Sequence, residues 1–304
     1  MVLLGDPIEL LKQSFESKNL SEVTQKRWMY VATDFLDFIG KKDVTFASAD
    51  GQAVKDYLGY KKRTVSGNGM KTIHYILKSM YMSWGKKWEL GKGDVPHGRE
   101  PERPFFTVEE IRKIITAGKE RAKERGDYIG MRDLVMLLIS TETGVRRIQI
   151  HNLDLEHFTK DKLLKIPPAK GGRWTDRKLR DDTVRYLELY LIERRKFLGE
   201  TANDPKSPLF LDRSKTRVST EAMGWGFIDI KNKAGIDKPG GSFHGMRRSK
   251  TTRLHKGGMS ETEITEALGW KKGSREPGIY IQLDQKEVQE KANKADKFMS
   301  DDEL

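Results

Sequence analysis

The sequence predicts a mostly α-helical chain with one small β-sheet, divided into a helical N-terminal domain and a larger α+β domain. Three observations carry this reading. Apolar residues recur at helical spacing along most of the 304 residues. One short stretch, Lys162 to Pro167, is strand-like and runs into a Lys170-Gly171-Gly172 turn, with Arg173 to Leu179 as the returning arm. Gly91 to Pro104 gathers three glycines, three prolines and mixed charge, which marks a linker. The predicted organisation is a helical domain over 1–90, a linker over 91–104 and a second domain over 105–304, with 284–304 as a C-terminal helix or tail.

Taken in order, Trp28, Val31, Ala32, Phe35 and Ile39 form a helical stripe that stops at Gly40. Asp50 caps a brief helix through Val54 and Leu58 that ends at Gly59. Ser66 opens a longer one with Ile73, Ile76, Leu77, Met80, Tyr81 and Trp84 on its apolar face, ending at Gly85. The aromatics in these stripes are expected to be core. Beyond the linker, Thr107 and Glu110 make a capping box for a helix with Ile111, Ile114 and Ile115 inward. Leu134, Val135, Leu138 and Ile139 build a strongly apolar helix running into Thr143-Gly144. After the hairpin, Val184, Leu187 and Leu191 mark one helix, and Met223, Phe227 and Ile230 another. Ser260 and Glu263 cap a last one carrying Ile264, Ala267 and Leu268 before Gly269.

Composition removes several chemistries. With no cysteine there is no disulfide, thiolate zinc site, iron–sulfur cluster or cysteine nucleophile. The histidines, His74, His97, His151, His157, His244 and His255, form no His-Glu-x-x-His pair, so no metal site is expected. The Walker phosphate loop is absent, and Gly67-Asn68-Gly69 starts a dinucleotide-like pattern that Thr72 breaks. The longest unbroken apolar run, Leu134 to Ile139, is far shorter than the roughly 20 residues of a membrane span. No secretory signal is read at the N-terminus, so a cytoplasmic protein is expected.

The formal net charge is +12, shared by both halves of the chain. Between Lys55 and Lys87 stand Lys61, Lys62, Arg63, Lys71 and Lys78 among other cations, against one acid, Asp56. Arg247, Arg248, Lys250, Arg253 and Lys256 follow with no acid between them. Such blocks, interleaved with apolar-patterned segments, point to a polyanion partner whose affinity comes from counterion release. Lys61, Lys62, Arg63, Lys71, Lys78, Arg173 and Arg248 are the residues expected to contact it.

Four dispersed segments each set a phosphate-binding or proton-handling side chain beside a structural break. Thr143-Gly144-Val145-Arg146 puts an arginine past a helix end, and Lys170 sits at the hairpin tip. His244-Gly245-Met246-Arg247 follows Pro239-Gly240-Gly241 at a helix start, where anions are favoured. Leu268-Gly269-Trp270 and then Tyr280 come next. In their order and spacing these segments resemble the tyrosine recombinases, or phage-type integrases, over essentially the whole chain. The resemblance implies a SAM-like helical core-binding domain followed by a recombinase catalytic domain. Arg146 matches the family's first arginine, Lys170 the hairpin lysine, and His244 with Arg247 the His-x-x-Arg box. Trp270 stands where most members have histidine, as in the Cre and Flp members, and Tyr280 falls on the nucleophile. Gln149 replaces the family's usual glutamate, a change expected to loosen the surroundings of Arg146.

The residue types suit the chemistry. Two arginines clamp the charge that grows on a pentavalent phosphorus, and a tyrosine supplies the nucleophile. Lys170 gives a proton to the leaving 5′ oxygen, His244 takes the phenol's proton, and the Trp270 indole N–H donates to a phosphate oxygen or merely packs. Lys162 and Lys165 are alternatives to Lys170. The resemblance further implies double-stranded DNA as the partner of those seven cations, a nucleoid-associated place in a prokaryotic or viral-host cell, a monomer when free and a homotetramer on DNA, a tail that docks on a neighbouring protomer, and no cofactor. Type IB topoisomerase chemistry and a non-catalytic DNA-binding role are the competing readings.

Overall fold

A computed structural model describes residues 5–95, 104–169, 173–199, 204–271, 273–274, 277–278, 289 and 293. Lys170, Tyr280 and nearly all of the expected tail over 284–304 lie outside the described residues. The chain divides into two compact units, Met1–Glu102 and Arg103–Leu304.

The first unit contains α1 (Pro7–Ser17), α2 (Glu22–Gly40), α3 (Gly51–Lys61) and α4 (Gly67–Ser83). Each begins where a short polar side chain captures an orphan backbone N–H: Asp6, Ser21, Asp50 and Ser66 respectively. The core is aromatic, as expected. Phe35 is fully buried, with its ring edge-on to Tyr57 at 5.2 Å, and Phe46 meets Tyr81 at 4.9 Å. Lys86 holds the 46–49 loop against this core by donating to the carbonyls of Phe46 and Ala47, each at 2.8 Å, and of Ala49. Helix α3 runs two residues past Gly59, the expected stop. An interior glycine costs only about 1 kcal/mol, and the last turn is held by Lys61, whose Nζ pairs with Asp34 at 2.7 Å.

The second unit is built on α6 (Tyr128–Thr143), whose buried residues lie all round its axis. Around it lie α5 (Val108–Arg125), α8 (Asp181–Leu198), α9 (Thr220–Lys233) and α10 (Phe243–Lys256). The capping box at Thr107 and Glu110 forms as the sequence predicts. Two buried charges on α6 are mutually satisfied: Arg132 donates to Asp133 and to the Leu211 carbonyl, and Arg121 reaches Asp133 at 3.0 Å. The hairpin is shorter than its sequence signal. Strand β1 (Leu163–Ile166) pairs antiparallel with β2 (Thr175–Lys178), Leu163 facing Lys178 and Ile166 facing Thr175. Short α7 (Arg147–His151) and α11 (Glu261–Ala267) complete the elements used below.

Candidate active site

Helix α6 ends because Gly144 takes the left-handed conformation, φ 66°, and its N–H closes on the Ser140 carbonyl. The chain then turns through Val145 into Arg146, which is the N-cap of α7. Space at this turn is tight. A Cβ on Gly144 would lie 2.9 Å from Lys250 Cγ on α10 and 3.1 Å from Leu268 Cδ2 just after α11. Only glycine satisfies both the backbone and its neighbours.

Arg247 ties these three segments together. It stands one turn into α10 with 1% of its surface exposed. Its Nη1 donates to the Gly144 carbonyl at 2.6 Å and its Nη2 to the Leu268 carbonyl at 3.2 Å. The guanidinium lies over the Trp270 ring, 4.5 Å from its centroid. One arginine therefore joins the turn bearing Arg146 to the turn bearing Trp270. Trp270 itself is 3% exposed, packed with Ile264 and Leu268. Packing is thus part of its role.

Arg146 is half-buried, and its own backbone is braced by Gln149. The Gln149 amide oxygen accepts the Arg146 N–H at 3.0 Å, while its Nε2 donates to the Pro167 carbonyl, just past β1, at 2.7 Å. The expected loosening does not occur. Glutamine makes both bonds, whereas an ionised glutamate, which only accepts, can make the first alone. His244 is exposed in the first turn of α10, where Ser242 caps the helix. It lies one helical turn before Arg247.

Around this centre sits a set of cations, of which the sequence reading placed Lys250 and Arg253 in a basic block but passed over Arg177 and Arg180. Lys250 is flanked by Arg253, Arg177 and Arg180, with Glu142 opposing them. Burial first, and then Arg253, pulls its ammonium below the usual lysine range. Arg253 donates to the Thr141 carbonyl at 2.7 Å, and Glu142 accepts the Arg180 N–H at 2.6 Å. Arg177, on β2, reaches the Ala267 carbonyl. Its signal was available in sequence: Arg173, Thr175 and Arg177 recur with the period of a strand face.

Three of the expected DNA contacts are engaged within the protein. Lys61 pairs with Asp34 and its side chain is only 14% exposed. Arg173 pairs with Glu266, and Arg248 Nη1 donates to the Pro104 carbonyl at 3.1 Å. Lys62, Arg63, Lys71 and Lys78 are exposed. The alternative general acids stand on the hairpin's arms: Lys165 faces Asp176, and Lys162 reaches Asp181 at 3.4 Å. Asp154, Glu156 and His157 cluster closely, but Asp154 is paired with Arg217 and its N–H is taken by His157 Nδ1, so the group is internally satisfied. No helix among the described residues is long and apolar enough to cross a membrane.

The pattern described as the phage integrase family matches residues 104–287, more than half of the chain and the whole span from Arg146 to Tyr280. The chain belongs to the phage integrase family. Similarity to individual integrases is distant but extensive. The tyrosine recombinase XerD of Xanthomonas campestris pv. campestris is 29% identical over 153 residues, covering 49% of this chain and 47% of that protein. This chain thus spans about half the length of that curated integrase relative. Among solved structures, the XerH site-specific recombinase bound to a palindromic difH substrate in a post-cleavage complex superposes with a TM-score of 0.71 at 18% identity, covering 95% of this chain and 84% of that one. A lambda integrase tetramer bound to a Holliday junction gives 0.66 at 14% identity, covering 91% and 76%. At these identities the superpositions show the integrase fold, mostly α with a small sheet.

Proposed function

We propose that this integrase is a site-specific DNA recombinase that cuts and rejoins strands through a 3′-phosphotyrosyl intermediate. The observation that carries the reading is Arg247 bonding the turn of Arg146 and stacking on Trp270, because it gathers distant segments of the family's set at one place. The Tyr280 oxygen forms a bond to phosphorus as the bond to the 5′ oxygen breaks. His244 takes the phenol's proton, and Lys170 gives one to the leaving oxygen. Arg146 and Arg247 stabilise the second negative charge of the pentavalent transition state. The phosphotyrosyl link preserves the energy of the broken bond, so the 5′ hydroxyl of a partner duplex rejoins the strand without a nucleotide or other cofactor.

In this reading a monomer binds duplex DNA through Lys62, Arg63, Lys71 and Lys78, and four protomers exchange strands through a Holliday junction. The lambda integrase tetramer on such a junction supports the assembly. A duplex selected by the protein from a random-sequence pool, nicked beside the scissile phosphate so that the released strand is lost, tests the chemistry. A covalent adduct is expected on a denaturing gel, mapping to Tyr280 and absent from Tyr280→Phe. An adduct that persists in Tyr280→Phe overturns this assignment. Relaxation of supercoiled DNA lacking the selected site would instead favour type IB topoisomerase activity.

A further inference from the structure

Strand alternation sets Thr175 and Arg177 on one face of β2, Arg173 stands two residues before the strand, and all three meet the C-terminal end of α11. Arg173 pairs with the Glu266 carboxylate, and Arg177 Nη2 donates to the Ala267 carbonyl. Thr175 Cγ2 occupies the space beside Gly269, where an added Cβ would come within 2.9 Å. Gly269, at φ 63°, is what lets the turn after α11 press against the strand.

Arg177 is the strongest of these contacts. Its Nη1 also donates to the Asp176 carbonyl at 3.0 Å, so the planar fork spans strand and helix end. Burial lowers its guanidinium below the usual arginine range, and neighbouring Arg173 acts in the same direction. A cation there is nonetheless well placed, since the last carbonyls of a helix carry its negative end. One residue further on, the Leu268 carbonyl takes Arg247. The end of α11 thus receives two guanidiniums, one from the hairpin and one from α10.

We propose that Arg177 is a positioning residue that latches the lysine hairpin to the C-terminal end of α11. Proton delivery to the leaving 5′ oxygen then depends on a guanidinium whose own bonds run to protein backbone. Two features make the hairpin sensitive to this contact. The β1–β2 ladder is only four residue pairs long, and a two-stranded ribbon of that kind is marginally stable without outside contacts. Its outgoing arm is tied at Pro167 by Gln149, and its return arm, starting three residues after Lys170, is tied by Arg173 and Arg177. Loss of the second tie leaves the arm held on one side. The proposal rests on Lys170 as general acid.

A duplex with sulfur in place of the bridging 5′ oxygen tests it, because a thiolate leaves without a proton. Single-turnover cleavage is measured on the selected, nicked duplex in both forms. On the ordinary duplex, Arg177→Met is expected to be slower than the unaltered protein by about ten- to a hundredfold, and Lys170→Met by at least as much. On the sulfur-bridged duplex both are expected to return to within about threefold of the unaltered protein, with Arg177→Lys intermediate on the ordinary one. Equal slowing of Arg177→Met on both duplexes, while Lys170→Met recovers, overturns the latch and leaves Lys170 in its role. Failure of Lys170→Met to recover overturns the general-acid reading and the latch with it. If Arg177→Met does not fold, Arg177→Lys carries the same comparison: slowing confined to the ordinary duplex upholds the latch, and equal slowing on both overturns it.

Discussion

Arg247 lies over the Trp270 ring at 4.5 Å while its two terminal nitrogens hold the carbonyls of Gly144 and Leu268. The indole is therefore the floor on which the guanidinium plane is set. Trp270→Phe keeps a π face and is expected to lose about 1 kcal/mol of stability or less beyond its lost area. Trp270→Ala removes both the stack and the packing against Ile264 and Leu268, at a cost of roughly 3–5 kcal/mol. Urea unfolding midpoints with unchanged slopes check the difference. Equal midpoints for the two variants contradict the stack.

Gln149 bridges the Arg146 N–H and the Pro167 carbonyl. Gln149→Glu places a carboxylate oxygen against that carbonyl, and a destabilisation of about 1–3 kcal/mol is expected at neutral pH. The penalty should shrink in acid, where a protonated glutamate again offers a donor to Pro167. Denaturant titrations at neutral pH and near pH 4 measure it. A penalty that does not change between them contradicts the bridge.

Most of the skeleton was legible because it is written locally. Ser66, Thr107 and Ser260 cap helices where the sequence places them, and Gly144 ends α6. The Arg146 and Arg247 boxes were likewise readable as motifs. What was not legible depends on partners far along the chain. Nothing near Lys61 reveals Asp34, and nothing near Arg173 reveals Glu266, so both were read as DNA contacts. Gln149 appeared as a defect because its second partner, Pro167, stands 18 residues away. The strand face of Arg173, Thr175 and Arg177 could be read by period, but not the helix end it meets.

Gly226 on α9 faces the buried Asp133 so closely that an added Cβ would come within 2.7 Å of its carboxylate. That carboxylate is held by Arg132 and Arg121 and has no room to withdraw. Gly226→Ala is expected to cost about 1–3 kcal/mol despite alanine's better helix propensity. A thermal midpoint equal to or above that of the unaltered protein would show the helix propensity winning.

The start of α5 should confer acid sensitivity. Burial raises the Glu110 pKa, but hydrogen bonds from Lys238 and the Thr107 N–H outweigh it and hold the carboxyl below its ordinary value of 4.5. A depressed folded pKa stabilises above the unfolded value, and that contribution is lost as pH falls through the folded one. Stability is therefore expected to drop below about pH 4.5 more steeply than in Glu110→Gln. Denaturant midpoints between pH 6 and pH 3 compare the two, and parallel pH curves contradict the assignment.

If Lys62, Arg63, Lys71 and Lys78 neutralise phosphates, replacing all four with alanine lowers affinity for every duplex alike. The slope of log affinity against log salt should fall by roughly 0.9 for each phosphate left without its cation. Fluorescence anisotropy over a salt series measures this. Lys61→Ala is expected to leave the slope unchanged, because its charge is spent on Asp34. An unchanged slope in the fourfold variant moves the DNA-binding surface elsewhere.

The most direct test of two arginines serving one phosphate removes the phosphate's charge. Arg146→Ala alters a half-buried side chain without touching the Gly144 turn, and it is compared with the unaltered protein on a phosphodiester and on a neutral methylphosphonate at the scissile position. The expected result is a rate reduction of about a hundredfold or more on the phosphodiester that falls to within about tenfold on the methylphosphonate. An equal reduction on both substrates would contradict charge neutralisation by Arg146, and with it the account of this site.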